Sequence, residues 1–335
     1  MSASPDFDLD LLDRALDRSV ALGYSRIGYA LRRRRGSFPP DPPAQALAGR
    51  TVLLTGGTSG IGRSAALHCA AYGADVHLLG HNPERGQAAL EWLRERLPEG
   101  SFQLEQCDLQ SLRDVERFAG DFARRVDRLY ALVHDAGVFS HDRQETPEGH
   151  ERTLGVHVLA PHLLTRLLRP TLRQAAGSRV LFVSSGGMYA SRLTADPEYR
   201  EGRYSGSRAY ARAKRMQVVL TQLWAERLTE DGIAVHAMHP GWVDTPGVRT
   251  YLARFRALTL PVIRKPAQGA DTIGWLLATR DLAPWTGGFW HDRALRPVHY
   301  RRGTRESALD QEAFWEFCER ATAGFGAGVP DRAAE

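Results

Sequence analysis

The chain has 335 residues and a formal net charge of +5, with 43% hydrophobic and 25% charged residues, a balance that excludes disorder throughout and fits one large globular unit. Cys69, Cys107 and Cys318 stand far apart with no C-x-x-C pair, which excludes a disulfide framework and a cysteine zinc site and points to a reducing compartment. No run of about 18 apolar residues occurs, and Asp6, Asp8, Asp10, Asp13 and Asp17 replace a signal-like start, so a cytoplasmic protein without a membrane span is expected.

Residues 9–31 place Leu9, Leu12, Leu16, Val20, Ile27 and Leu31 at helical steps, predicting one amphipathic helix ended by Arg32–Arg35. Its acidic first half favours docking on its own domain or on a second subunit of a homo-oligomer over peripheral membrane contact. The arginine cluster reads as a solvated cap that suits the helix dipole, with no aromatic or motif support for nucleic acid. Phe38-Pro-Pro-Asp-Pro-Pro43 then reads as a stiff linker. Residues 1–48 thus precede a main domain over 49–295, and 296–335 form a C-terminal extension.

Within the main domain, apolar strands are predicted at 51–55, 75–79, 102–107, 129–134, 179–184 and 233–239, each followed by a helical segment. Strand then helix, repeated, gives a doubly wound α/β fold with a parallel sheet. A last strand is expected at 288–291 and a terminal helix at 307–323.

The first strand runs into Thr55-Gly-Gly-Thr-Ser-Gly-Ile-Gly62 and then a helix. Glycines at 56, 60 and 62, with Thr58, Ser59 and Ile61 between them, suit a phosphate-binding turn of a dinucleotide site, because the backbone can approach a pyrophosphate at the helix N-terminus. Lysine occurs only at 214 and 265, the other 42 basic residues being Arg. Yet Lys214 stands one helical turn after Tyr210, where a compact ammonium would favour the phenolate of a proton-exchanging tyrosine. About 0.06 such pairs are expected by chance. Ser185 ends the fifth strand, and in an open α/β sheet ligands bind at that end.

Together these residues resemble the short-chain dehydrogenase/reductase family over about 49–295, along with Asp108-Leu109 and Pro240-Gly241. The stretches 183–188, 238–249 and 267–272 are similar to a branch related to its retinol-dehydrogenase-like members. The resemblance implies a carbonyl–alcohol oxidoreductase in which Tyr210 exchanges the proton, Lys214 lowers its pKa and holds the nicotinamide ribose, and Ser185 binds the reacting oxygen. Asp108 would sit by the adenine, Leu109 beside it, Ala136-Gly137 along the cofactor, and Thr245 at the carboxamide. The chain departs from the family at His134-Asp135, where Asn-Asn is usual, and at His157, which takes the place of the Asn that organises a water relay to the lysine. His157 is therefore a candidate polar relay. The rival readings are a nucleotide-binding regulatory or scaffold protein without turnover and, less favoured, an epimerase or dehydratase retaining NAD(P).

After the second strand, His81 stands where an acid would select NAD, and Arg63 and Arg85 lie near in sequence, so NADP(H) is preferred with NAD(H) as the alternative. Val248, Tyr251, Leu252, Phe255 and Leu258 follow helical spacing and suggest an apolar lid. With Met188, Tyr189 and Trp242, they favour a lipophilic carbonyl or alcohol as the small-molecule partner. His150-Glu151 and His157 lack H-E-x-x-H spacing, so no metal is expected.

Overall fold

The structure, a computed structural model, describes residues 11–280, 282, 285–300 and 302–326. Leu9, Asp6, Asp8, Asp10 and the end of the C-terminal extension lie outside them. Among the described residues eight strands form one sheet: β1 (Thr51–Thr55), β2 (Asp75–Gly80), β3 (Ser101–Gln106), β4 (Ala131–His134), β5 (Arg179–Val183), β6 (Ala234–Met238), β7 (Phe289–His291) and β8 (Ala294–Leu295). Their order is β3-β2-β1-β4-β5-β6-β7-β8, parallel except for the β7–β8 pair. β1, β4, β5 and β6 are almost wholly buried because helices cover both faces, which is why their sequences read as continuous apolar runs.

The amphipathic stretch forms three short helices in place of the one expected: α1 (Leu11–Arg18), α2 (Val20–Gly23) and α3 (Arg26–Arg34). Ser19 and Ser25 break the run, since each turns its hydroxyl to cap the N–H groups of the next helix. The first half of the chain's remaining helices comprises α4 (Gly60–Ala71), α5 (Pro83–Arg96), α6 (Leu112–Arg125) and the single turn α7 (Arg152–Leu154), which runs through a π-helical turn at Gly155–Leu159 into α8 (Ala160–Arg173). Next come a 3₁₀ turn at Gly186–Ala190, α9 (Gly206–Arg227), α10 (Pro246–Tyr251), α11 (Ala253–Thr259), α12 (Pro266–Ala278) and α13 (Ala308–Thr322). The lid expected as one helix is thus divided at Leu252.

The N-terminal segment is bolted to the domain. Arg32, expected in solvent, is 1% exposed; it pairs with Asp13 at 2.5 Å and with Asp292 at 2.7 Å. Asp292 also binds Arg264 at 2.6 Å, and Asp13 binds Arg296 at 2.8 Å. The Pro-rich stretch is pinned too: Asp41 pairs with Arg293, and the Pro40 carbonyl accepts from Trp275. Asp292 and Arg293 form the two-residue β7–β8 turn with φ of +51° and +57°, a geometry that usually takes Asn-Gly. Here buried ion pairs from three other segments hold the left-handed backbone in place.

Candidate active site

Strand β1 ends at a turn that only glycine can make. Gly56 has φ +73°, and a Cβ there would lie 2.8 Å from the Cα of Ala136; at Gly62 it would lie 2.4 Å from the Gly56 carbonyl oxygen. Ser59 precedes α4 without a side-chain capping bond. The opening N–H groups of α4 therefore receive no local hydroxyl acceptor, and the cradle suits a phosphate. Gly60 packs beside Thr245 and Pro246, whose atoms lie 3.5 Å from where its Cβ would be. That contact brings Thr58, Ser59, Ile61 and the start of the lid to one rim. Ala136-Gly137 line the next strand end, the Asp135 and Ala136 N–H groups both donating to Thr55 Oγ1 at 3.1 Å.

At the end of β5, Ser185 starts the 3₁₀ turn, its Oγ accepting from the Gly187 N–H at 3.2 Å. Tyr210 from α9 lies on the same side of this turn: a Cβ at Gly187 would lie 3.6 Å from Ser185 Oγ and 4.0 Å from a ring carbon of Tyr210. Burial pushes the phenol above its ordinary value, the neighbouring Ser185 hydroxyl opposes this, and Asp135 adds to it. The direction is opposite to the lowering expected from its spacing to Lys214. The Lys214 ammonium, 5.5 Å from the tyrosine ring centre, donates to the Val183 carbonyl at 2.9 Å and to Gln217 Oε1 at 3.1 Å. Burial lowers it to about 8, with Asp135 opposing. Asp135 itself is raised to about 7 by burial, against Lys214 and the Gly62 N–H.

His157 lies in the π-helical turn and is fully buried. Its Nε2 is 2.9 Å from both the N–H and the carbonyl of Val138, and its ring stands edge-on to Tyr210 at 5.6 Å. Burial and Lys214 hold it neutral, well below its ordinary value. The imidazole is thus committed to the 138 backbone and not to Lys214. The link to the lysine runs through the His157 carbonyl. Pro161, four residues later, has no N–H for that carbonyl, which accepts instead from Gln217 Nε2 at 2.9 Å. Gln217 therefore bridges Lys214 and the His157 backbone. Sequence reasoning passed over it, although its position three residues after Lys214 on one helix face was a usable signal. His134 is also buried, 2.9 Å from Thr165 Oγ1, and burial lowers it to about 3.

The remaining positions form the rim. His81 is exposed beyond β2, while Arg63 stacks on Trp92, its guanidinium carbon 4.2 Å from the ring centre. Asp108 folds back on its own loop, its Oδ1 accepting from the Gln110 N–H, and Leu109 is buried. Pro240-Gly241 lead to Trp242, whose N–H donates to the Tyr24 carbonyl at 2.8 Å; the Tyr24 ring packs against Gly186. Tyr24 is a second residue the sequence did not single out: it ties the N-terminal segment to both loops beside the site. Phe139 bridges Tyr210 at 6.2 Å and lid residue Tyr251 at 5.5 Å.

A sequence model of the short chain dehydrogenase family matches residues 50–254. The chain is 36% identical over 306 residues to dehydrogenase/reductase SDR family member 12 of Bos taurus, covering 90% of this chain and 95% of that one. It is 34% identical over 321 residues to the polyprenol dehydrogenase of Mus musculus, covering 92% and 93%. A solved structure of an uncharacterized protein from Mycobacterium paratuberculosis superposes with a TM-score of 0.65 at 28% identity, over 84% of this chain and 96% of that one. Strand order, glycine turn and these likenesses agree: the chain belongs to the short-chain dehydrogenase/reductase family and is an oxidoreductase of the kind that binds NAD(P).

Proposed function

We propose that the protein interconverts a carbonyl and an alcohol on a lipophilic substrate with NADP(H), using Ser185, Tyr210 and Lys214. The observation that carries this reading is the meeting of Ser185 and Tyr210 around Gly187, with a buried ammonium 5.5 Å from the tyrosine ring, at the carboxyl end of β5. When bound, the cofactor supplies or accepts the hydride. Gly56, Thr58, Ser59, Gly60, Ile61 and Gly62 would hold its phosphates, Asp108 and Leu109 its adenine side, and Ala136, Gly137, Pro240, Gly241 and Thr245 its nicotinamide side. The absence of an acid after β2, with His81 exposed there, supports NADP over NAD.

In the reducing direction Ser185 orients the carbonyl oxygen and Tyr210 donates a proton to it, for which a phenol kept protonated at neutral pH is the suitable form. Lys214 keeps a positive charge behind the tyrosine at neutral pH, and Gln217 with the Val183 carbonyl holds that charge in one position. Phe139, Tyr251 and Trp242 give the crevice an apolar wall, which supports a lipophilic substrate. Three buried free thiols favour a reducing, cytoplasmic setting. The test is NADPH consumption against lipophilic aldehydes and ketones beside Tyr210→Phe. Turnover abolished by that change is expected; no turnover, or turnover indifferent to it, overturns the mechanism. Tighter binding of NADH than of NADPH would overturn the cofactor assignment.

A further inference from the structure

Of the large apolar side chains exposed among the described residues, all but Tyr300 and Leu309 fall in two short stretches, 20–31 and 251–260. They include Val20, Leu22, Ile27 and Leu31 on α2 and α3, and Leu258 and Leu260 at the end of the lid, Leu258 being 84% exposed. The two stretches meet in space: the Arg26 N–H donates to the Val262 carbonyl at 2.8 Å. No helix among the described residues is long and apolar enough to cross a membrane.

The exposed charges of residues 14–35 and 245–265 have one sign. Residues 14–35 contain one acid, Asp17, which is buried, and 245–265 contain none. The exposed charged side chains of these stretches are Arg14, Arg18, Arg26, Arg33, Arg34, Arg35, Arg249, Arg254 and Lys265. Asp244, just before the lid, is tied by Arg249 and Arg256. Of the acids that argued against lipid contact in the sequence, Asp13 and Asp17 are withdrawn from the surface, facing Arg32 and Arg296 inside, while Asp10 lies outside the described residues. Between α3 and α12 runs a groove of about 320 Å³ with Ile27, Ala30 and Leu31 beside Arg26, Arg34 and Gln268. Neither arginine has an ion-pair partner among the described residues. Apolar side chains beside the Arg26 and Arg34 guanidiniums match acyl chains below anionic headgroups.

We propose that the face made by α2, α3 and the end of α11 docks peripherally on an anionic lipid bilayer, beside the lid through which a lipophilic substrate would reach Tyr210. This surface goes beyond the proposed reaction, and its binding is read without turnover.

The test is co-sedimentation of the full chain with phosphatidylcholine vesicles and with vesicles containing about 30% phosphatidylserine. Pelleting with the anionic vesicles is expected, falling about tenfold when NaCl is raised from about 0.1 to 0.5 M. Ile27→Glu with Leu31→Glu should lower it by a similar factor while leaving reduction of a water-soluble aldehyde unchanged. Leu260→Glu and the wild-type salt series give the same reading should the double variant misfold. Absence of pelleting, equal pelleting with neutral vesicles, indifference to both variants, or self-association that hides this face in place of vesicle binding would overturn the proposal. A chain that pellets as expected yet reduces nothing keeps the surface and loses the reaction.

Discussion

Lys214 is a buried cation held by the Val183 carbonyl and the Gln217 amide oxygen, and burial lowers it to about 8 although Asp135 opposes the shift. Some way off, Arg32, Arg264 and Arg296 are buried as deeply, yet each faces a carboxylate of Asp13 or Asp292. There the arginines outweigh the cost of burial and hold Asp13 below its ordinary value and Asp292 far below it. One region keeps a charge that can be lost near neutral pH; the other fixes its charges permanently. The difference explains the composition, because a guanidinium stays charged and forks between acids, whereas a desolvated ammonium titrates.

Lys214→Arg sets the strongest test of that division, since it keeps the charge and removes the titratable, compact group. We expect kcat to fall by about 10³-fold or more in steady-state assays. A rate near that of the wild type would erase the distinction between the two regions. Next in size, Arg264→Met leaves Asp292 short of a partner in the interior and should cost about 3–5 kcal/mol in urea unfolding. A loss below about 1 kcal/mol would mean that the ion cluster is not what fastens the N-terminal segment.

A smaller effect is expected of Gln217→Leu: kcat lower by about tenfold with KM little changed. The pH profile separates positioning from mere packing. The wild-type rate should fall as pH rises through about 8, where Lys214 loses its proton. Removing an acceptor from the ammonium lowers that value, so the fall should begin at lower pH in Gln217→Leu, whereas the charged acceptor of Gln217→Glu should move it to higher pH. An unmoved profile would make Gln217 a packing residue.

The smallest effect belongs to His77, at the β2–β3 edge, which is intermediate between the two regions. Burial opposes its charge, but hydrogen bonds to Asp75 and Glu105 outweigh burial and raise it to about 8. A raised folded value gives stability that is whole below the unfolded value near 6.5 and is lost as pH rises through 8. Unfolding free energy should therefore fall by about 1–2 kcal/mol from pH 6 to 9, and His77→Phe should flatten that slope. The arginine-bound acids behave oppositely: their contribution is present above about pH 4 and declines only in stronger acid.

Much of this protein was legible in the sequence. The alternation of apolar strands and helices gave the parallel sheet, and the glycines after the first strand marked the tight turn into α4, because those signals are local. The Tyr210/Lys214 pair stood out by spacing on one helix and by the rarity of lysine. What failed was non-local. Arg32 looked like a solvated cap because its partners lie elsewhere in the chain, at Asp13 and Asp292. The exception is local: one amphipathic helix became three because the Ser19 and Ser25 hydroxyls cap backbone N–H groups two or three residues on. Gln217 acquired its place only when α9 met the π-helical turn, where Pro161 leaves the His157 carbonyl to another donor. Residue type and spacing thus determined the class of chemistry, while packing decided which buried charges are fixed and which can titrate, since that depends on partners that only folding brings within hydrogen-bond reach.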